Sequence, residues 1–238
     1  MTSATNPPTG LAPPSTAVTE PLARLLLQWG VAPAPAPPVA ERLGGWLGWA
    51  DAIGLSQVLA AAPAAAMVNA ASHRDAQGWV AAALDRLQAE LLAGFDDAEL
   101  AADAAAPAPD GVPLADLLAP FRLHHAQQQR SMAARIATLR ERLRPRLAET
   151  SGRLARLAQL DLLFERALAA QEKPLLGGLP ALLTRRAETH QAADPRHWRL
   201  RFWADLQRAL RAELDLRLQP VLGLVEALHQ EAPPSPAL

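Results

Sequence analysis

Apolar residues recur along most of this chain at intervals of three and four. That is the period of a helix with one face turned to a core. The cleanest run is Phe121 to Thr150, where Met132, Ile136, Leu139, Leu143 and Leu147 are spaced 4, 3, 4 and 4 and most positions between them are polar. At about 1.5 Å per residue such a run makes a rod of roughly 45 Å, too long to bury its stripe alone. The same period predicts two partners. From Arg153 to about Gln191 the face is Leu154, Leu157, Leu160, Phe164 and Leu168, with Asp161 and Glu165 on the wet side and a bend at Pro174 and Gly177-Gly178. Asp194-Pro195 is then a start signal, an N-cap with proline at the first helical position. Beyond it Trp203, Leu206, Leu210, Leu214, Leu218, Val221, Val225 and Leu228 follow a nearly heptad spacing. Pro145 predicts a kink or an end in the first rod, Ser151-Gly152 a break, and Pro220 a kink in the last.

Short connections favour antiparallel neighbours. The expected fold class is all-α: an elongated antiparallel three-helix bundle over 113–231, with a smaller N-terminal helical unit at 39–95. In that unit Leu43, Trp46, Leu47, Ala50 and Ile53 share a face, and Gly44, Gly45, Gly48 and Gly54 predict close approach of another backbone. A further helix ends near Phe95 and starts at Ala64 or, with Ser72 as its cap, later. Residues 96–112 are acidic and rich in Ala and Pro, and read as a loop and domain boundary. Residues 1–38 are Pro-rich and read as disordered apart from one short helix at 21–29, tethered by the polyproline-like spacer 31–38. Residues 232–238 read as a disordered tail.

Composition reinforces the helical reading. Half the residues are hydrophobic, but only 4 % are aromatic and Tyr is absent, so strand formers are scarce. Cys is absent as well, which excludes disulfides and thiolate chemistry. No secretory signal and no membrane-length apolar run is visible, so the expected location is the cytoplasm, without direct membrane insertion.

Net charge is −1, and no global field points to nucleic acid or membrane. The charge is nonetheless segregated. Between Asp85 and Asp116 eight acids stand against Arg86, while between Arg135 and Arg156 seven Arg stand against Glu141 and Glu149. Arg196, Arg199 and Arg201 cluster beside Trp198 and Trp203. Two readings follow. In one, the Arg-rich faces bind nucleic acid, with affinity falling steeply in salt. In the other, they are solvated surface or face the protein's own acidic segment or an acidic partner.

Catalytic patterns are missing. His124 and His125 are adjacent and diverge by about 100° on a helix, so they do not share a metal. His190 and His197 lack a helical ligand spacing. Glu213 and Asp215 stand at i, i+2 and diverge, better placed to serve Arg211 and Arg217 than acid–base work. No metalloprotease, nucleophile-elbow or phosphate-loop motif occurs. The expectation is no enzyme and no cofactor.

Four segments carry a resemblance: ERLGGWLGWADAIGLSQVL (41–59), FRLHHAQQQRSM (121–132), LARLAQLDLLFERALA (154–169) and RAELDLRLQPVLGLVEAL (211–228). They resemble an uncharacterised proteobacterial family, a domain of unknown function with the family number 3348. The resemblance implies a cytoplasmic accessory of an envelope-spanning membrane complex, with a large coiled-coil membrane subunit and OmpA/MotB-like peptidoglycan-binding partners. It transfers no catalytic residue.

The function expected is therefore that of a helical interaction or adaptor protein whose partner is a coiled-coil subunit of such a complex. Trp and Arg dominate interface hot spots, so the expected partner-binding residues are Trp29, Trp49, Arg140, Arg144, Trp198 and Arg199, with core packing as the plainer reading of each Trp. An unpartnered heptad seam would instead give a homodimer. A nucleic-acid-binding helical protein is the first alternative, and an enzyme on a helical scaffold the second.

Overall fold

The computed structural model describes residues 21–32, 41, 48–60 and 69–231, with the side chains of 49, 50 and 168–175 left aside. Every regular element among them is a helix. In chain order these are α1 (Pro21–Gln28), α2 (Trp49–Ala60), α3 (Ala70–Phe95), α4 (Ala98–Ala105), α5 (Leu114–Thr150), α6 (Gly152–Gly177), α7 (Leu179–Ala193) and α8 (Trp198–Gln230). The all-α expectation holds. The expected face of Leu43, Trp46 and Leu47 lies outside the described residues, as do the two ends of the chain.

The long rod is longer than its pattern suggested. It begins at Leu114 and continues unbroken through Pro120 and Pro145. Each proline deprives the carbonyl four residues earlier of its donor. Those carbonyls belong to Asp116 and Glu141, both exposed, so water can satisfy them and the helix need not end. It ends at Ser151, whose hydroxyl caps α6 by accepting from the Leu154 N–H at 3.2 Å. That single-residue joint makes α5 and α6 an antiparallel hairpin.

Around Asp194 the sequence signal is obeyed one turn early. The Asp194 carboxylate accepts from the backbone N–H groups of Arg196 and His197 at 3.3 and 3.0 Å, and α8 proper starts at Trp198. α3 is capped by Asn69 rather than Ser72, accepting from Ala71 and Ser72 N–H groups at 3.1 and 3.2 Å. The Asn69 N–H in turn donates to the Thr150 carbonyl at 2.9 Å, pinning the start of α3 to the end of α5.

Residues 96–112 are not simply a loop. Asp97 caps Glu99 and Leu100 at 3.1 and 3.0 Å, and the Ala-rich run behind it forms α4. Ala is the best helix former, but a two-turn helix is marginal alone. α4 is held by burying Ala104 against the body and by docking its C-terminus on α8.

α8 organises the molecule, packing against α1, α3, α4, α5, α6 and α7. Its stripe runs Trp198, Phe202, Leu206, Leu210, Leu214, Leu218, Val221, Leu224 and Leu228, all buried. α5 lies parallel to it, with Phe121 edge-on to Phe202 at 5.5 Å and Gln129 reaching Glu213. α3 runs antiparallel to both. The expected split between 39–95 and the bundle therefore does not separate two cores, because Val80, Leu87, Leu91 and Phe95 of α3 join the same apolar cluster. α1 also belongs to it through Leu22 and Leu25.

α2 is the looser element. It packs on α6, where a Cβ on Gly54 would meet Leu163 Cδ2 at 3.0 Å. What comes close at Gly54 is the Leu163 side chain, not the backbone that the glycine pattern predicted. Gly44 and Gly45 lie outside the described residues.

Candidate interaction surface

The Arg-rich back of α5 faces inward at the positions expected to meet a partner. Arg140 donates to Asp161 Oδ1 at 2.6 Å, and its other nitrogen lies 3.4 Å from Glu165 Oε1. Arg144 donates to Asp161 Oδ2 at 2.8 Å and to Glu165 Oε2 at 2.5 Å. These four side chains form a closed network across the hairpin. Burial disfavours the Arg144 cation, but its hydrogen bonds to Glu165 and Asp161 outweigh that and raise its pKa above the ordinary arginine value. Asp161, expected on the wet side, is buried because two guanidinium groups solvate it there. The expectation that Arg140 and Arg144 point outward is corrected accordingly.

Other arginines of the segment are also engaged. Arg135 pairs with Glu90. Arg146 and Arg142 lie over the Trp79 ring, 3.9 and 5.3 Å from its centroid. Arg199 donates to Asp103 at 2.7 Å, and Arg211 lies 3.8 Å from Asp96. Of the two readings of the charge asymmetry, these pairs fit the one in which basic side chains meet the protein's own acidic segment.

Trp198 and Arg199 are likewise not surface anchors. Trp198 is fully buried, 6.1 Å from the Phe202 ring, because it opens the α8 stripe one turn before Phe202. Arg199 is 3 % exposed. Besides Asp103 it donates to the Ala106 and Pro107 carbonyls at 3.1 and 3.0 Å. A cation there closes the negative end of α4. Trp29 is half-buried, with the Arg186 guanidinium 5.4 Å from its ring centroid, so α1 is seated rather than tethered free. Trp49 opens α2, and its side chain lies outside the described residues.

A second polar group sits where periodicity alone did not point. Glu213 is fully buried between the core positions Leu210 and Leu214 of α8. Gln129 donates to both its oxygens at 3.2 and 3.0 Å, and Arg217 donates twice to Oε1 at 2.9 and 2.8 Å. Burial pulls the Arg217 pKa down to about 10, which still leaves a cation at neutral pH. His125 Nε2 lies 3.6 Å from Glu213 Oε2 without a hydrogen bond. A visible signal existed: an acid inside an apolar stripe, facing a His and a Gln at i, i+4.

The remaining histidines act largely as cross-links. His73 donates to the Leu228 carbonyl at 2.9 Å, His124 to the Phe95 carbonyl at 3.2 Å and His190 to Asp205 at 2.8 Å. Among the described residues no three His, Asp or Glu side chains gather as metal ligands, and no helix is long and apolar enough to cross a membrane.

What the α5–α6 hairpin leaves open is a groove of about 550 Å³. Its walls are small: Ala137 and Ala148 from α5, Ala155 and Ala158 from α6, with Pro145 and Leu162. Arg144, Glu165, Glu141 and Gln159 edge it. The small side chains keep the groove apolar without filling it.

No curated protein and no solved structure matches the chain. The sequence does match the family described as "Protein of unknown function (DUF3348)" over residues 5–230, a span that takes in every helix above, and the chain belongs to that family.

Proposed function

We propose that this protein is a non-enzymatic helical adaptor that receives an amphipathic helix of a protein partner in the α5–α6 groove. One observation carries the reading: an open, alanine-walled groove runs along two antiparallel helices and has polar groups only at its edges. Helix-in-groove recognition needs that combination, an apolar trough for the i, i+3, i+4 and i+7 side chains of the incoming helix and charges beside it to set register. Glu141 and Gln159, both exposed, supply the polar groups beside the groove. The partner class that the family resemblance suggests, a coiled coil of an envelope-complex subunit, has such a stripe. In this reading the protein works at the cytoplasmic side of that complex.

The test uses a photo-crosslinking residue at Ala148, which is exposed, in the full-length protein in its native cells. The expected product is one crosslinked protein, joined through a helical segment with a heptad stripe. Ala148→Trp and Ala155→Trp, filling the groove from opposite walls, should abolish capture with unchanged circular dichroism. Capture that survives both substitutions would sink the proposal. A crosslink to a second copy of this chain, matched by a dimer in light scattering, would replace it with self-association.

A further inference from the structure

Between α5, α7 and α8 the core opens into a cavity of about 180 Å³, separate from the groove above. Phe121, Leu183, Phe202 and Leu206 wall it, all buried. Arg122 is its exposed charged member, so the mouth lies on that side, where Arg122 donates to the Thr184 hydroxyl at 3.1 Å. We propose that this cavity is a binding site for a small aromatic monocarboxylate, with the ring among the apolar walls and the carboxylate on Arg122.

Three observations converge on that ligand class. The first is size. An apolar cavity of roughly 150 Å³ accepts a benzene ring, so this one has room for a single ring and little more. The second is charge. Arg122 bonds only to a neutral hydroxyl, and no Asp or Glu pairs with it among the described residues. The nearest acids of α8 are already taken, Asp205 by Arg186 and His190, and Glu213 by Gln129 and Arg217. A guanidinium fork beside an apolar hole matches a carboxylate whose remaining atoms are apolar. The third is a buried polar atom. His125 lines the cavity, is 3 % exposed, and its Nε2 makes no hydrogen bond. A buried polar atom in that condition is unfavourable, and a hydroxyl on the ligand ring could relieve it. The site thus favours 4-hydroxybenzoate over benzoate, with Arg122 taking the carboxylate and His125 the hydroxyl.

The test is calorimetric titration of the full-length protein with benzoate, 4-hydroxybenzoate and benzamide, an uncharged mimic of the same shape. Saturable binding of both acids is expected, with benzamide and the exposed-site variant Arg122→Gln each weaker by at least about tenfold. Ala126→Leu, which narrows the cavity from α5, should abolish binding. Thr184→Val, at the mouth, removes the hydroxyl that holds Arg122 in place and should weaken binding of both acids, a second check where Ala126→Leu proves unstable. The preference for the hydroxylated acid should vanish in His125→Phe. No saturable binding of either acid at millimolar concentration overturns the proposal, as does binding unchanged in Arg122→Gln. Equal affinity for benzamide overturns the carboxylate assignment, and equal affinity for the two acids removes His125 from the site.

Discussion

Across the α5–α6 hairpin the guanidinium Nε of Arg144 lies 2.8 Å from Asp161 Oδ2, and Asp161 also holds Arg140. Asp161 thus bridges two nearly buried cations, at 11 % and 13 % side-chain exposure, while Glu165 supplies the second negative charge. Asp161→Ala leaves both guanidinium groups to Glu165 alone. Breaking a buried ion pair from one side should cost about 3 kcal/mol. Glu165→Gln should cost less, because Glu165 is more exposed than Asp161. Urea unfolding followed by far-UV circular dichroism separates the two. If the Arg face were a solvated surface, both substitutions would leave the midpoint where it is.

Trp198 provides the sharpest contrast between an interface anchor and a core residue. Its side chain is fully buried against Phe202. Trp198→Ala should therefore destabilise the protein by about 3–5 kcal/mol, and Trp198→Phe by much less. An exposed hot spot would do the reverse, sparing stability and costing partner binding. Thermal unfolding of the two variants decides between these roles.

The Asp194 cap predicts a pH signature. The backbone N–H of His197, then that of Arg196, holds the Asp194 carboxyl below the ordinary aspartate value of 3.8. A carboxyl lowered in the folded state adds stability that is complete above the ordinary value and is lost as pH falls through the folded one. The urea-midpoint gap between wild type and Asp194→Ala should thus be constant near neutrality and close on acidification. Asp194→Asn, another good cap, should keep part of the stability without that dependence. A gap that persists in acid would show that the cap does not act through its charge.

Much of the fold was legible because it is written in local periodicity. The α8 stripe, the Ser151 joint and the Asp194 start all rest on residue types whose effects stay within a turn or two. α4 was missed for the opposite reason. Its eight residues are too few to stand alone, and what holds them is Arg199, nearly a hundred positions away in sequence. The charged residues suffered the same fate. Arg140 and Asp161 were each visible, but their pairing depends on the register of a hairpin turned at one residue. Trp198 was readable in principle, since Trp198, Phe202 and Leu206 extend the stripe at a spacing of four. The Arg-rich composition beside it points to the surface instead. The groove was not legible, because it is made of alanines, which periodicity counts as core.

α1 closes with Gly30 at φ +79°, while the Gly30 and Val31 N–H groups donate back to Leu27 and Leu26. That ending places Trp29 against Arg186, whose guanidinium also holds Asp205. Eight residues near the start of the chain are thereby the last plank over the leucine face of α8. A protein expressed from residue 39 onward, trimmed at the proline stretch for convenience, would lack that plank. Its bared face would glue molecules together, and any dimer it formed would be an artefact of the cut.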